Sequence, residues 1–198
     1  MVIQGILLSV SHKLSEIKAG NGWYANKQAF QLGLKSYNLP IPNLDLLTEF
    51  NYVRPFTYSH RTTFTNYAHF NQALAHPLGS NFYESVSIAN YRYKNFLFRF
   101  QVNYALTAKD TGNSNLGNDI FKSYETKTFE YGNRMGQGYQ SRMLYSELRA
   151  SYLINPRTNL TFDIGYIYRR VSNQAGINQT KWIFIGIRTN LTNRYYDF

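Results

Sequence analysis

The chain has 198 residues, with 21 Lys and Arg against 11 Asp and Glu, so its formal net charge is +10. This length fits one domain spanning 1–198, and the absence of cysteine excludes a disulfide framework, a thiolate nucleophile and a cysteine metal site. Tyr and Phe, with 18 and 14 copies, are more abundant than a soluble core requires, which is typical of proteins with amphipathic rings at an interface.

The N-terminal segment, MVIQGILLSVSHKLSE, contains an apolar stretch but neither a basic leading region nor a small-residue cleavage site. We therefore interpret its first ten residues as a strand. No run of about 20 apolar residues occurs anywhere in the sequence, which excludes a membrane-spanning helix.

Most of the chain alternates apolar and polar residues, as strands with one apolar face do. The clearest case is Phe96, Phe98 and Phe100, interleaved with Arg99 and Gln101. About eight strands of roughly 10 to 13 residues result, each long enough to cross a bilayer at a tilt. They are 2–10, strands around 30–34 and 46–52, 82–93, 96–106, 144–152, 160–168 and 181–191.

The connections between these strands alternate in length. Short ones are expected at 38–44, 94–95 and 155–159, and longer ones at 11–23, 57–81, 107–140 and 172–180. A transmembrane barrel has this asymmetry, with short periplasmic turns and longer extracellular loops. The Gly- and Asn-rich stretch 110–138 is polar enough to be a mobile loop.

The sequence therefore predicts an antiparallel transmembrane β-barrel of the bacterial outer membrane, with about eight meandering strands. It also predicts contact with membrane lipid and lipopolysaccharide. A barrel must be exported, so we expect the sequence to be a mature form or the C-terminal part of a larger barrel. Its last residue, Phe198, two positions after Tyr196, resembles the terminal signal of bacterial outer-membrane barrels, and the resemblance implies recognition by the barrel-assembly machinery. A soluble sheet packed on a second sheet is the alternative.

Strand alternation places a set of polar residues on the face opposite the Phe and Leu rows, where they would face the lumen. We expect most of the charged ones to pair with each other, and an open polar conduit is the alternative. The set is Glu49, Arg99, Gln101, Asn103, Glu147, Arg149, Asp163 and Arg169. Candidates for aromatic girdles at the membrane surfaces are Tyr91, Tyr93, Tyr166, Tyr168 and Trp182.

Other chemistry finds little support in the sequence. His60, His69 and His76 lie in one predicted loop, but their spacing matches no metal motif, and no metal or other cofactor is expected. Residue types for hydrolysis occur in the loops without a spacing that links them, so no catalytic residue is assigned. The candidates are Ser59, His60, His76, Ser80, Asp110 and Asp119. Basic residues are scattered instead of forming a stripe, which disfavours nucleic acid as a partner.

Two segments carry a resemblance to a family. Tyr67–Glu84, YAHFNQALAHPLGSNFYE, and Gly186–Phe198, GIRTNLTNRYYDF, resemble the Bacteroidota-type outer-membrane barrels that include the Wzi capsule-assembly and RemB gliding-motility proteins. The resemblance implies a non-enzymatic role at the cell surface: capsule or exopolysaccharide assembly, attachment or gliding. Arg61, Tyr67, His76 and Asn81 are then candidates for contact with acidic surface polysaccharide. Alternatively, residues 76–79 only shape a turn.

Two other functions stay open at this point. A passive outer-membrane pore is the main alternative to the polysaccharide role, and an outer-membrane hydrolase is the third.

Overall fold

The computed structural model describes residues 2–10, 14–70 and 72–189 of the chain, so Phe198 and the end of the last predicted strand lie outside the described residues. Its main element is one eight-stranded antiparallel sheet, in which neighbours in space are neighbours in sequence. The all-β antiparallel prediction is confirmed. The strands are β1 (Val2–Val10), β2 (Lys27–Tyr37), β3 (Leu44–Val53), β6 (Phe82–Tyr93), β7 (Phe96–Lys109), β8 (Tyr139–Asn155), β9 (Leu160–Asn173) and β10 (Gly176–Arg188).

The sheet is open in the described part of the chain. Strands β1 and β10 form its two edges, and no hydrogen-bonded ladder joins them. Barrel closure, which the sequence predicts, is therefore not shown.

The small elements outside the sheet are α1 (Leu14–Ala19), the hairpin β4 (Ala68–His69) and β5 (Gln72–Ala73), and single 3₁₀ turns at Thr63–Thr65 and Tyr124–Thr126. Within the described ranges, no helix is long and apolar enough to cross a membrane.

Connections at the two ends of the sheet differ in length, as predicted. Turns 38–43, 94–95 and 156–159 lie at one end, here called the turn end. Connections 11–26, 54–81 and 110–138 lie at the other, the loop end. The prediction of a longer loop at 172–180 is wrong. Strand β9 ends at Asn173 and β10 begins at Gly176, so only a two-residue turn connects them. The Asn173 side chain accepts a hydrogen bond from the Ala175 N–H at 3.0 Å, which stabilises this turn.

Strand pairing gives the two faces of the sheet opposite character. One face carries the predicted apolar rows, such as Phe96, Phe98 and Phe100, and the other carries the polar residues between them. In most proteins the apolar face would be the buried one. Here Phe100 keeps 50% of its surface exposed, whereas Glu147 on the polar face keeps 7%.

The hydrophobic core lies at the loop end instead of against the sheet's apolar face. Ala29, Val53 and Phe82, at the ends of three strands, pack with Tyr58 and Ile120 from two connections. The described parts of connections 11–26, 54–81 and 110–138 thus form a folded layer over the strand ends, which we call the loop cap.

Candidate functional site

The exposed apolar face of the sheet is bounded by two groups of aromatic side chains. Near the turn end, Phe96 contacts Tyr152 with ring centroids 5.1 Å apart. Near the loop end, the Tyr83 ring lies 6.4 Å from Phe50 and 6.1 Å from Tyr104. Between these groups the exposed side chains are mainly Phe, Leu and Ile. Apolar bands flanked by aromatic rings are found on the lipid-facing surface of membrane barrels.

The charged residues of this face are few and of one sign. By strand register, the face carries Arg142, Arg170 and Lys181 as its charged residues within the described strands. All three lie in the halves of β8, β9 and β10 that are nearer the loop end.

The predicted girdle residues are divided between the faces. Tyr91 and Tyr93 lie on the apolar face towards the end of β6, whereas Tyr166 and Tyr168 lie on it near the middle of β9. Trp182 was assigned wrongly: it pairs with Ile167, which places it with Phe184 on the polar face. The error arises because β10 carries large apolar residues on both faces, so alternation alone does not orient it.

All eight residues predicted to face a lumen lie on the polar face. Several are joined along their strands at two-residue intervals. The Arg99 guanidinium donates to Gln101 Oε1 at 2.9 Å, and the Gln101 side-chain amide in turn donates to Asn103 Oδ1 at 3.0 Å. On β8, Glu147 accepts from Tyr145 at 2.7 Å and forms an ion pair with Arg149.

This polar face is concave at the turn end. A cavity of about 650 Å³ is lined there by residues of six strands, from Tyr37 of β2 to Arg188 of β10. Its charged lining residues are Asp45, Arg92, Arg99, Arg149 and Arg188. The volume is in the range of small-molecule sites.

Buried asparagines hold the loop cap together. Asn133 donates to Gly22 O at 3.2 Å, which joins connections 11–26 and 110–138. Asn66 donates to Ile120 O at 2.7 Å, which joins 54–81 to 110–138. An amide side chain both donates and accepts, so one residue satisfies backbone groups of two segments. The expectation that 110–138 is a mobile loop is therefore not supported.

A close backbone contact fixes the same connections. The Phe56 N–H donates to Gly117 O at 2.9 Å, and Phe56 is fully buried. Gly117 has φ +82°, and a Cβ at this position would lie 2.6 Å from the Phe56 ring. Position 117 therefore requires glycine.

Two of the four predicted polysaccharide-binding residues have internal partners instead. Asn81 has no exposed surface, and its amide bonds Ala108 O, Gln137 O and Gly136 N at 3.0, 2.8 and 2.7 Å. Assigning it to ligand contact is thus wrong for this structure.

His76 is similarly engaged. It bonds Glu84 at 3.0 Å, accepts from the Leu78 N–H at 3.2 Å and stacks on Phe82. The Gly79 N–H donates to His76 O at 2.9 Å, so residues 76–79 form the turn given above as the alternative.

The other two residues are accessible. The Arg61 side chain is 80% exposed and lies 3.7 Å from Glu125. Tyr67 is half-exposed and its ring packs beside Tyr58. Sequence reasoning missed other exposed apolar side chains of the same connection, 54–81: Phe64, with 96% exposure, Phe70 and Leu74. We call Phe64, Tyr67, Phe70 and Leu74 the aromatic loop patch.

Burial in the loop cap affects two titratable groups near this patch. It raises the pKa of the Tyr58 phenol, and the neighbouring Tyr67 adds to the rise. Partial burial lowers the pKa of the His60 imidazole, and the charge of Lys27 lowers it further.

Several of the loop residues considered for hydrolysis have other partners or are buried. Asp110 pairs with Lys122 at 3.1 Å, and Asp119 accepts from the Phe121 N–H at 2.9 Å. Ser59 is buried under the cap, and the Ser80 hydroxyl is buried without a partner. No described group of three or more His, Asp or Glu side chains is arranged to hold a metal.

Fold and surfaces together define an antiparallel β-sheet protein with an exposed apolar face, a concave polar face and a folded cap of loops. Compared with known proteins, the chain matches no family model, no curated protein and no solved structure. The resemblance to the Wzi and RemB group therefore stays a prediction.

Proposed function

We propose that this chain is the wall, or part of the wall, of a transmembrane β-barrel in a bacterial outer membrane, with a non-catalytic role at the cell surface. The observation that carries this proposal is the inverted distribution of side chains. Phe, Leu and Ile rows are exposed between two aromatic groups, while Glu147 and Asp163 are buried on the opposite face. A lipid-facing outer surface around a polar interior has this distribution.

The charges on the apolar face support one orientation. Arg142, Arg170 and Lys181 all lie towards the loop end, which places them beside lipopolysaccharide phosphates if the loop cap is extracellular. The turn end, with its short connections, would then face the periplasm.

Fractionation tests the membrane part of the proposal. We expect the expressed full-length protein to sediment with outer membranes, to resist extraction by alkaline carbonate and to dissolve in detergent. It should also migrate faster on SDS gels before boiling than after, because a folded barrel stays compact. Recovery as a monodisperse species in detergent-free buffer would contradict the proposal.

For the cell-surface role, we propose that the loop cap binds acidic polysaccharide in capsule assembly, attachment or gliding. The aromatic loop patch offers exposed ring faces that stack on sugars, and Arg61 offers a guanidinium for carboxylates. The role of His76 and Asn81 in this proposal is to shape the cap, because their polar groups are already bonded.

Retention on an immobilised polyuronate checks this role. We expect Phe64→Ser combined with Phe70→Ser to weaken retention roughly five- to 150-fold, since the two lost aromatic contacts are worth about 0.5–1.5 kcal/mol each. Phe129→Ser, which removes an exposed ring of connection 110–138, is the matched control and should bind normally. Equal retention of the wild type, the double variant and Phe129→Ser would show that the aromatic loop patch does not bind polysaccharide.

A passive pore is the second candidate, and the polar concave face favours it. Planar bilayers distinguish the two functions. Steady ion conductance without any retention on polyuronate would favour the pore, and retention without conductance would favour the polysaccharide role. Catalysis by the loop residues would instead appear as hydrolytic activity that is lost in His60→Ala or His76→Ala.

A further inference from the structure

The cavity at the turn end has a charge distribution that the wall of a barrel does not require. Four arginines, Arg92, Arg99, Arg149 and Arg188, line it together with a single carboxylate, Asp45. They come from β6, β7, β8 and β10, so the curvature of the sheet, and not a local run of sequence, brings them to one site.

Two of these arginines face each other directly. Strand register pairs Arg99 of β7 with Arg149 of β8, and both side chains are partly buried on the concave face. Like charges placed directly opposite each other on neighbouring strands destabilise a sheet. An anion bound between them would remove this repulsion.

Acidic neighbours neutralise only some of the positive charge. Arg149 pairs with Glu147, and Arg188 Nε lies 3.4 Å from Asp163. Within the described chain, Arg99 forms no ion pair with a carboxylate and bonds only the neutral amides of Gln101 and Asn90, at 2.9 and 3.4 Å. The Arg149 Nε is buried and has no hydrogen-bond partner among these residues. The Arg99 guanidinium therefore keeps N–H donors that no carboxylate of the described chain occupies.

The remaining lining suits hydroxyl groups. Tyr37, Asn38, Asn43 and Asn90 line the same cavity and offer both donors and acceptors. A volume of about 650 Å³ is larger than an inorganic ion needs and is sufficient for a sugar. Guanidinium groups bind carboxylate and phosphate oxygens in bidentate geometry, which supplies the anionic part of the recognition.

We propose that this cavity binds a small anionic sugar, a polyhydroxylated molecule with one carboxylate or phosphate group, and that Arg99 and Arg149 hold the anionic group between them. The site is separate from the aromatic loop patch, because it lies at the opposite end of the strands. It depends on the concave face alone and not on the function assigned to the loop cap.

Calorimetric titration of the folded full-length protein tests the proposal. The ligands are glucuronate, glucose 6-phosphate, glucose and inorganic sulfate. We expect saturable binding of glucuronate or glucose 6-phosphate, and whichever binds more tightly identifies the anionic group. Glucose should not bind, and sulfate should compete weakly. If sulfate binds as tightly as either anionic sugar, the site takes only an inorganic oxyanion and the sugar proposal is wrong.

Arg99→Gln is the informative variant, because removing Arg99 leaves no carboxylate without its ion-pair partner. We expect it to weaken binding of the anionic sugar roughly tenfold or more, the effect of losing hydrogen bonds to a charged group. Arg157→Gln removes the same charge from the exposed turn 156–159 at the same end and should leave affinity unchanged. Equal loss in both variants would indicate a general charge effect and would overturn the site.

A second variant guards against misfolding. Arg149→Gln combined with Glu147→Gln removes the ion pair as a unit, so that no buried carboxylate is left unpaired. This double variant should also bind the anionic sugar more weakly, while it keeps the gel mobility of the folded protein. The titration can be run on protein in detergent or in buffer, so its failure is distinguishable from failure of the membrane proposal.

Discussion

Replacing Phe100 with arginine should destabilise the membrane-inserted protein by about 2–4 kcal/mol, the cost of a cation on the lipid face near the bilayer midplane. Phe100 lies near the middle of β7, on the apolar face and half-exposed, between the aromatic groups at the two ends. The change should appear as a lower urea midpoint for unfolding from lipid vesicles and as a smaller fraction of protein inserted.

Gln101→Arg provides the matched control. It introduces the same side chain one residue further along, on the concave face and directly opposite Glu147. We expect it to insert normally, because a carboxylate and other polar groups surround the new charge. If Phe100→Arg folds and inserts as well as Gln101→Arg does, the exposed Phe row does not contact lipid, and the central proposal is wrong.

Loss of the Asn81 side chain should have an effect of similar size on the loop cap. Asn81→Gly removes three hydrogen bonds at a position with no exposed surface, and we expect a loss of roughly 2–4 kcal/mol because buried backbone groups of 108, 136 and 137 are left unsatisfied. Asn81→Ala should cost about 1 kcal/mol more, since Asn81 has φ +60° and alanine is strained there.

Limited proteolysis reports on this change directly. Connection 110–138 should become a cleavage site in both variants, while the strands stay protected. Asn113→Ala, at an exposed position of the same connection, is the control and should be cleaved no faster than the wild type. Protection of 110–138 in Asn81→Gly would show that the buried amide does not hold the cap together.

The strands were predictable because their evidence is local. Alternation of side-chain type sets the boundaries of Phe82–Tyr93 and the start of Phe96–Lys109, and no knowledge of partners is needed. The same pattern places Arg99 and Glu147 on one face. It fails for β10, where both faces are rich in apolar residues, and it does not reveal that the sheet is open.

The loop cap was not predictable by the same means. Asn81 bonds Gln137 across 56 positions, and Asn66 bonds Ile120 across 54, so neither contact leaves a periodic trace in the sequence. An asparagine that satisfies buried backbone looks the same in sequence as one in a solvated loop. The arginine cavity was not predictable for the same reason, because its four arginines come from four different strands. The nearest available signal was that Arg99, Arg149 and Asp163 share a face.

The open edges of the sheet have a consequence for how such a chain can enter a bilayer. Among the described residues, strands β1 and β10 each have one side without a hydrogen-bonded neighbour. Hydrocarbon offers no water to satisfy those amides and carbonyls, and each unsatisfied group would cost several kcal/mol. A membrane-inserted form must therefore seal this seam, either by joining the two edges or by adding strands between them. Pairing of the edge strands and insertion into the bilayer are thus thermodynamically linked. A chain whose edge strands stay unpaired would favour the aqueous phase over the membrane.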